Sequence, residues 1–254
     1  MRSYFAFLKK ELLEGARGGK LLILGVLFLF VGIMNPAIAK MTPWLMETFA
    51  DSLADAGMTL TAVEVNAMTS WTQFFKNLPI VWIALLLMYA GTFTTEYDSK
   101  TLILILSKGM PRYRVLLAKT TVMLLAWTLG FWLCFGVTCG YNLYFWEDTI
   151  PQNLMSLCIG WWIFGIWTIA LVVIWSVVLR GYGNVILCVG GSVLVVYLVG
   201  LIPKVSRWMP TALMSGGGLL ITGESAPYQA IILACLTAVA LVVQAIPILN
   251  KKQL

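Results

Sequence analysis

Along this chain, long uncharged apolar stretches alternate with short polar connectors. Six stretches contain no Asp, Glu, Lys or Arg: residues 21–39, 78–95, 120–142, 154–179, 185–202 and 228–249. A helix needs about 20 mostly apolar residues to cross the hydrocarbon core of a bilayer, and each stretch reaches or approaches that length. Backbone polar groups find no water there, and a helix satisfies them within one segment. The pattern predicts an all-α polytopic membrane protein, a single transmembrane domain over residues 1–254 with six transmembrane helices.

The connectors carry patterns of their own. In residues 1–19, Phe5, Leu8, Leu12 and Ala16 recur at helical spacing, while Lys9, Lys10, Glu11, Glu14 and Arg17 fall mostly elsewhere. That spacing predicts an amphipathic helix lying in the membrane interface, and Gly15, Gly18 and Gly19 then let the chain turn inward. In the connector 40–77, Leu45, Phe49 and Leu53 repeat every fourth residue, as do Glu47, Asp51 and Asp55. This predicts a short helix with an acidic face, either a cap on the membrane surface or a contact for cargo. The connector 203–227 holds Pro203, Pro210, Gly216, Gly217, Gly218 and Pro227 around an apolar middle. Such a segment is expected to dip back as a short re-entrant element before the last helix, where covered irregular backbone is tolerated.

The connector 96–119 is the densest in signals. It opens Glu96-Tyr97-Asp98-Ser99-Lys100, runs apolar from Leu102 to Leu106, and continues Ser107-Lys108-Gly109-Met110-Pro111-Arg112. Gly109 and Pro111 break a helix, and Lys119 opens the third span. A short helix flanked by charges is expected here, available for a cytoplasmic partner to grip.

Charge placement gives the orientation. Of the 17 Lys and Arg, only Lys40, Lys76, Lys204 and Arg207 fall on one side of the predicted spans. The rest cluster in residues 2–20, in 100–119, at Arg180 and at Lys251 and Lys252. Basic residues gather on the cytoplasmic side, so both termini are expected in the cytoplasm. The net charge of +6 would suggest a nucleic-acid partner in a soluble protein. Here the charges border spans and suit anionic lipid headgroups, so membrane lipid is the expected partner and nucleic acid is not. The start of the chain mimics a secretory leader with Ala37-Ile38-Ala39 as its cleavage site. The length of the run, with Glu11 and Glu14 before it, predicts a retained helix. Cys134, Cys139, Cys158, Cys188 and Cys235 all fall within spans and read as small packing residues.

Missing chemistry narrows the function. No His is present, and the carboxylates sit at span edges, so no catalytic site, metal site or resident cofactor is expected. Ion-driven carriers usually keep a titratable group within the membrane; the strongest polar groups in or near the spans are Asn35, Asn142 and Gln244. A secondary carrier or Na⁺-extrusion component, with the ion held by backbone carbonyls, remains the alternative. No matched pair of broken helices marks an inverted repeat. Gly15 to Lys20 superficially resembles a phosphate loop, but it is one residue short, lacks the following Ser or Thr, and follows no strand. ATP, if it drives this protein, must be bound by another subunit.

At this point the residues resemble a family. Thr95-Glu96, Thr101-Leu102, Leu106-Ser107-Lys108, Pro111-Arg112 and Leu116-Leu117-Ala118-Lys119 are similar to the pattern in the membrane subunit of a type 2 ABC exporter. There an acidic residue leaves the second span, a leucine-rich helix and a Pro/Arg turn follow, and a Lys enters the third. Lys100 stands where the family usually has Gly, and Pro111 where it often has Ser. The layout of interfacial helix and six spans matches over most of the chain. The resemblance implies a permease in the bacterial cytoplasmic membrane, paired with a second permease copy as homodimer or heterodimer. It implies a separate P-loop ATPase subunit that binds ATP and Mg²⁺. It makes 96–119 the coupling connector, with Glu96, Asp98, Ser99, Lys100, Leu102, Leu106, Lys108 and Arg112 as contacts to the ATPase.

Cargo is less constrained. Trp127, Trp132, Trp162 and Trp167, with Asn35, are candidate lining for an amphipathic or hydrophobic cargo such as a peptide, a lipid-like molecule or a drug. The same rings serve equally as packing or interfacial aromatics. Gly136 and Gly140 form a small-xxx-small pair suited to helix contact.

Overall fold

The computed structural model describes residues 2–48, 66–98, 109–146 and 151–251, and all regular elements among them are helical. In chain order these are α1 (Arg2–Arg17), α2 (Lys20–Thr48), α3 (Ala67–Tyr89), α4 (Thr94–Asp98), α5 (Arg112–Phe145), α6 (Leu154–Val178) and α7 (Tyr182–Gly200). Two 3₁₀ turns (Ser206–Trp208 and Pro210–Ser215), α8 (Gly216–Thr222) and α9 (Tyr228–Lys251) complete the order. Six helical segments are long and apolar enough to cross a membrane, and each contains or overlaps one of the six predicted stretches.

The helices outrun the apolar stretches. α2 continues to Thr48, past residue 39, with Pro36, Lys40 and Pro43 inside it. Lys40 is exposed, and its ammonium lies 5.7 Å from the centre of the Phe145 ring. α3 starts at Ala67, well before residue 78, because Asn66 caps it: its side-chain oxygen accepts from the Thr69 amide at 3.1 Å. The proposed acidic helix around Phe49 and Leu53 lies outside the described residues. α5 begins at Arg112, so the last third of the predicted connector 96–119 is already helix. At 34 residues it is about 51 Å long.

One predicted span is interrupted. The stretch 78–95 leaves the α-helix at Ala90–Phe93, where Thr92 N donates to Tyr89 O at 3.0 Å, before α4 resumes. Apolarity continues through the break, so hydropathy alone does not reveal it. Gly91 sits at this bend against Tyr182; a Cβ there would stand 3.2 Å from that ring.

α6 is the hub, with most of its length buried, whereas α7 buries only Val185 and Val189. α9 presents Ala230, Ala234, Ala238 and Ala245 inward, small residues that let two helices approach closely. α2 and α5 run parallel: Phe28 meets Gly130, Gly32 meets Thr138 and Lys40 meets Phe145 as both numberings rise. Trp127 plugs the space between α2, α5 and α6, and its Nε1 donates to Trp162 O at 2.9 Å. Gly165 faces its indole so closely that a Cβ would overlap it. Close glycine packing thus falls at Gly130 and Gly165, whereas at Gly136 and Gly140 an added Cβ would meet nothing within 4 Å among the described residues.

The segment 203–227 folds back onto the end of the bundle. Pro210, Thr211, Leu213 and Leu220 are buried there. Trp161 Nε1 donates to Met214 O at 3.1 Å and Asn153 Nδ2 to Gly223 O at 2.8 Å. At the other end Arg112 Nη1 donates to Leu249 O at 2.7 Å and Asn250 O at 3.2 Å. The start of α5 and the close of α9 therefore lie side by side, at the end that also carries α1 and α4.

Candidate functional site: a buried ion cluster beneath the first helix

Lys119 lies on the second turn of α5, flanked by Leu116, Leu117 and Ala118. Its side chain is only 4% exposed. An ammonium taken out of water must be paired, and Lys119 Nζ reaches Glu11 Oε2 at 2.9 Å and Glu96 Oε1 at 3.0 Å. The first carboxylate comes from α1 and the second from α4, so one cation joins three elements distant in sequence. The rings of Phe7 and Phe93 flank it, with centres 6.0 and 5.8 Å away, close enough for attraction to their faces. Lys10 supplies a second cation, 3.2 Å from Glu11, 2.8 Å from Glu14 and 4.0 Å from Glu96. Its hydrogen bond holds the Glu14 carboxyl below the usual glutamate range. Tyr4 Oη and Thr121 Oγ1, 2.9 Å apart, add a neutral tie between α1 and α5.

This docking fixes which face of α1 turns inward. Phe7 is buried with Leu8 beside it and Leu12 packs against the main core, whereas Phe5 is 62% exposed and Ala16 is exposed too. The apolar ridge predicted from Phe5, Leu8, Leu12 and Ala16 is thus rotated, because Glu11 must reach Lys119. Beneath α1 a cleft of about 220 Å³ opens between the first turn of α2, the end of α3, α4 and α5. Tyr89 Oη and Glu96 Oε2 are buried at this cleft with no hydrogen-bond partner among the described residues.

The predicted coupling residues divide. Glu96 is buried in the cluster rather than offered to a partner. Asp98 closes α4, while Ser99, Lys100, Leu102, Leu106 and Lys108 lie outside the described residues. Arg112 donates to the terminal carbonyls of α9, a favourable place for a cation. In the sequence Lys119 marks only the opening of a span, and Glu11 only a polar face. The available signal was a lone Lys between Leu116-Leu117-Ala118 and Thr120-Thr121-Val122, which demands a carboxylate from elsewhere.

The predicted pathway residues meet inside the bundle. Trp127 is fully enclosed and Trp167 nearly so, and both rings pack the interior. Trp132 and Trp162 are half-buried, their ring centres 6.4 Å apart. Asn35 is fully buried: it donates to Thr138 Oγ1 at 3.4 Å and accepts from Asn77 Nδ2 at 2.8 Å. Ser70 and Asn142 are also buried, and their side chains have no hydrogen-bond partner among the described residues. Among the described residues no three His, Cys, Asp or Glu converge as metal ligands.

Six apolar helical spans around a neutral polar interior define a multi-pass membrane protein. The chain is similar to an uncharacterized transmembrane protein of Bacillus subtilis (strain 168), YxlG, with 23% identity over 236 residues. That alignment takes in 90% of this chain and 89% of the other. No family model matches the chain, and no solved structure does.

Proposed function

We propose that this chain is the membrane subunit of an ATP-driven exporter of the type 2 ABC class, resident in the bacterial cytoplasmic membrane. The observation that carries the reading is the Glu11–Lys119–Glu96 cluster. It binds both ends of the connector 99–111 and the N-terminal helix into one unit. A partner pressing on that connector would move α1, α4 and α5 together, as a lever needs. The asymmetry of Lys and Arg supports a cytoplasmic location for this end, where a P-loop ATPase carrying ATP and Mg²⁺ would dock. The segment 203–227 then lies outside as the re-entrant cap. A second copy, or a sister permease, would complete the pathway. Nucleotide binding by the ATPase would bias a two-state interface between the copies. The apolar, aromatic interior favours a hydrophobic or amphipathic cargo.

Co-expression with a P-loop ATPase tests this. The two are expected to co-purify, and Leu102→Asp or Lys108→Glu is expected to abolish ATPase stimulation while membrane insertion persists. Transport by the purified chain alone, without any ATP hydrolase, would overturn the reading in favour of a secondary carrier.

A further inference from the structure

The bend at residues 90–93 has no proline to explain it: Pro79 is the last before it and Pro111 the next after it. A helix also kinks where a side chain inserts into its ladder of backbone bonds, and one does so here. Tyr182, the first residue of α7, donates its hydroxyl to Leu87 O at 2.8 Å. In an unbroken helix that carbonyl accepts from the amide four residues on, which is Gly91. Across the bend the amides of Ala90, Thr92 and Thr95 donate to Leu86, Tyr89 and Gly91, and among the described residues Gly91 N makes no bond to Leu87 O. Leu87 lies inside a candidate span, where a carbonyl without a donor is costly. The tyrosine hydroxyl stands in for the missing amide.

Both sides of the contact are shaped for it. An added Cβ at Gly91 would stand 3.2 Å from Tyr182 Cδ2 and 3.3 Å from Thr95 Oγ1. Gly181, at φ 90°, turns the chain from α6 into α7, and Asn184 Nδ2 closes that turn on Arg180 O at 3.0 Å. The ion cluster begins just past the bend. Phe93 is buried within the bend, its ring centre 5.8 Å from Lys119 Nζ. Glu96 follows on α4 and meets Lys119 at 3.0 Å and Lys10 at 4.0 Å.

We infer that Tyr182 holds α3 bent at Gly91, and that this bend positions Glu96 on Lys119. Tyr182 is a positioning residue, through which the turn between α6 and α7 grips α4 and, beyond it, α1. When the hydroxyl is lost, Gly91 N takes Leu87 O, α3 and α4 join as one helix, and Glu96 is drawn away from both lysines. The inference concerns the bend alone and does not depend on what drives the protein.

Hydrogen exchange of the full chain in detergent, read by mass spectrometry on a peptide covering residues 88–95, tests it alongside tryptic cleavage at the exposed Arg17. Tyr182→Phe keeps the ring and deletes the donor. Exchange in that peptide should slow about fivefold as Gly91 N gains an acceptor. Cleavage at Arg17 should become about twofold faster as α1 loses its tie to Glu96. Loss of a packing contact alone would speed exchange rather than slow it. Gly91→Ala crowds the ring and favours the helix, so it should give the same two changes, and it carries the test if Tyr182→Phe does not fold. Unchanged or faster exchange in the folded variant would overturn the inference. The bend would then belong to Thr94 and Thr95, whose hydroxyls donate to Gly91 O at 3.3 and 2.7 Å. Slower exchange with unaltered cleavage at Arg17 would overturn the link from Tyr182 to Glu96.

Discussion

Two buried polar regions in this molecule solve the same problem differently. At the basic end, Lys119 Nζ lies 2.9 and 3.0 Å from the carboxylates of Glu11 and Glu96. Between α2, α3 and α5, Asn35, Asn77 and Thr138 exchange neutral hydrogen bonds instead. The charged group borders a cleft open at the rim, where the hydrated Lys10 also reaches it. The neutral group lies within the apolar bundle, where a charge would be far more costly. The difference teaches where each device belongs: charge joins elements at the membrane edge, and amides join helices inside.

The strongest way to break this contrast is Lys119→Met. It strands Glu11 and Glu96 with their main counter-ion gone, and a loss of about 3–5 kcal/mol is expected, read as a lowered melting temperature in detergent. The triple variant Glu11→Leu, Lys119→Met, Glu96→Leu should recover most of that loss, because an apolar set of similar volume replaces the cluster. If it is as unstable as the single variant, the cluster contributes more than paired desolvation. Asn35→Leu should lose less, about 0.5–1.7 kcal/mol, the span of hydrogen bonds between membrane helices. Its effect should not add to that of Asn77→Leu, since the two share one bond. The smallest effect is in acid. Because Lys10 lowers the Glu14 pKa below 4.5, that pair's contribution is complete above the ordinary glutamate value. It fades as pH falls through the lowered one. Acidifying the protein below pH 4.5 should slightly loosen α1, measured by proteolysis of the N-terminal segment, and Glu14→Gln should reduce that pH dependence.

Much of the fold was legible in the sequence, and most of the site was not. The six spans follow from charge-free runs, because a bilayer leaves the backbone few choices. Helix ends were misplaced where polar residues continue a helix beyond the hydrocarbon, as at Lys40 and before Leu78. The break at Ala90–Phe93 was hidden by uninterrupted apolarity. The expectation of a re-entrant element at 203–227 came from prolines, glycines and apolar side chains together; the structure shows that segment packed against α3 and α6. The ion cluster depends on partners 23 and 108 positions from Lys119, and no local period encodes such a meeting. Glu96 stood out in sequence as a grip for a partner; its buried pairing emerges only when α1 docks.

The guanidinium of Arg112 spans the entrance of one membrane rod and the exit of another. The last turn of α9 is therefore held beside the start of α5. A fluorophore or affinity tag appended there would sit within reach of anything that seats on the neighbouring connector. Such a label would report, or obstruct, that encounter directly.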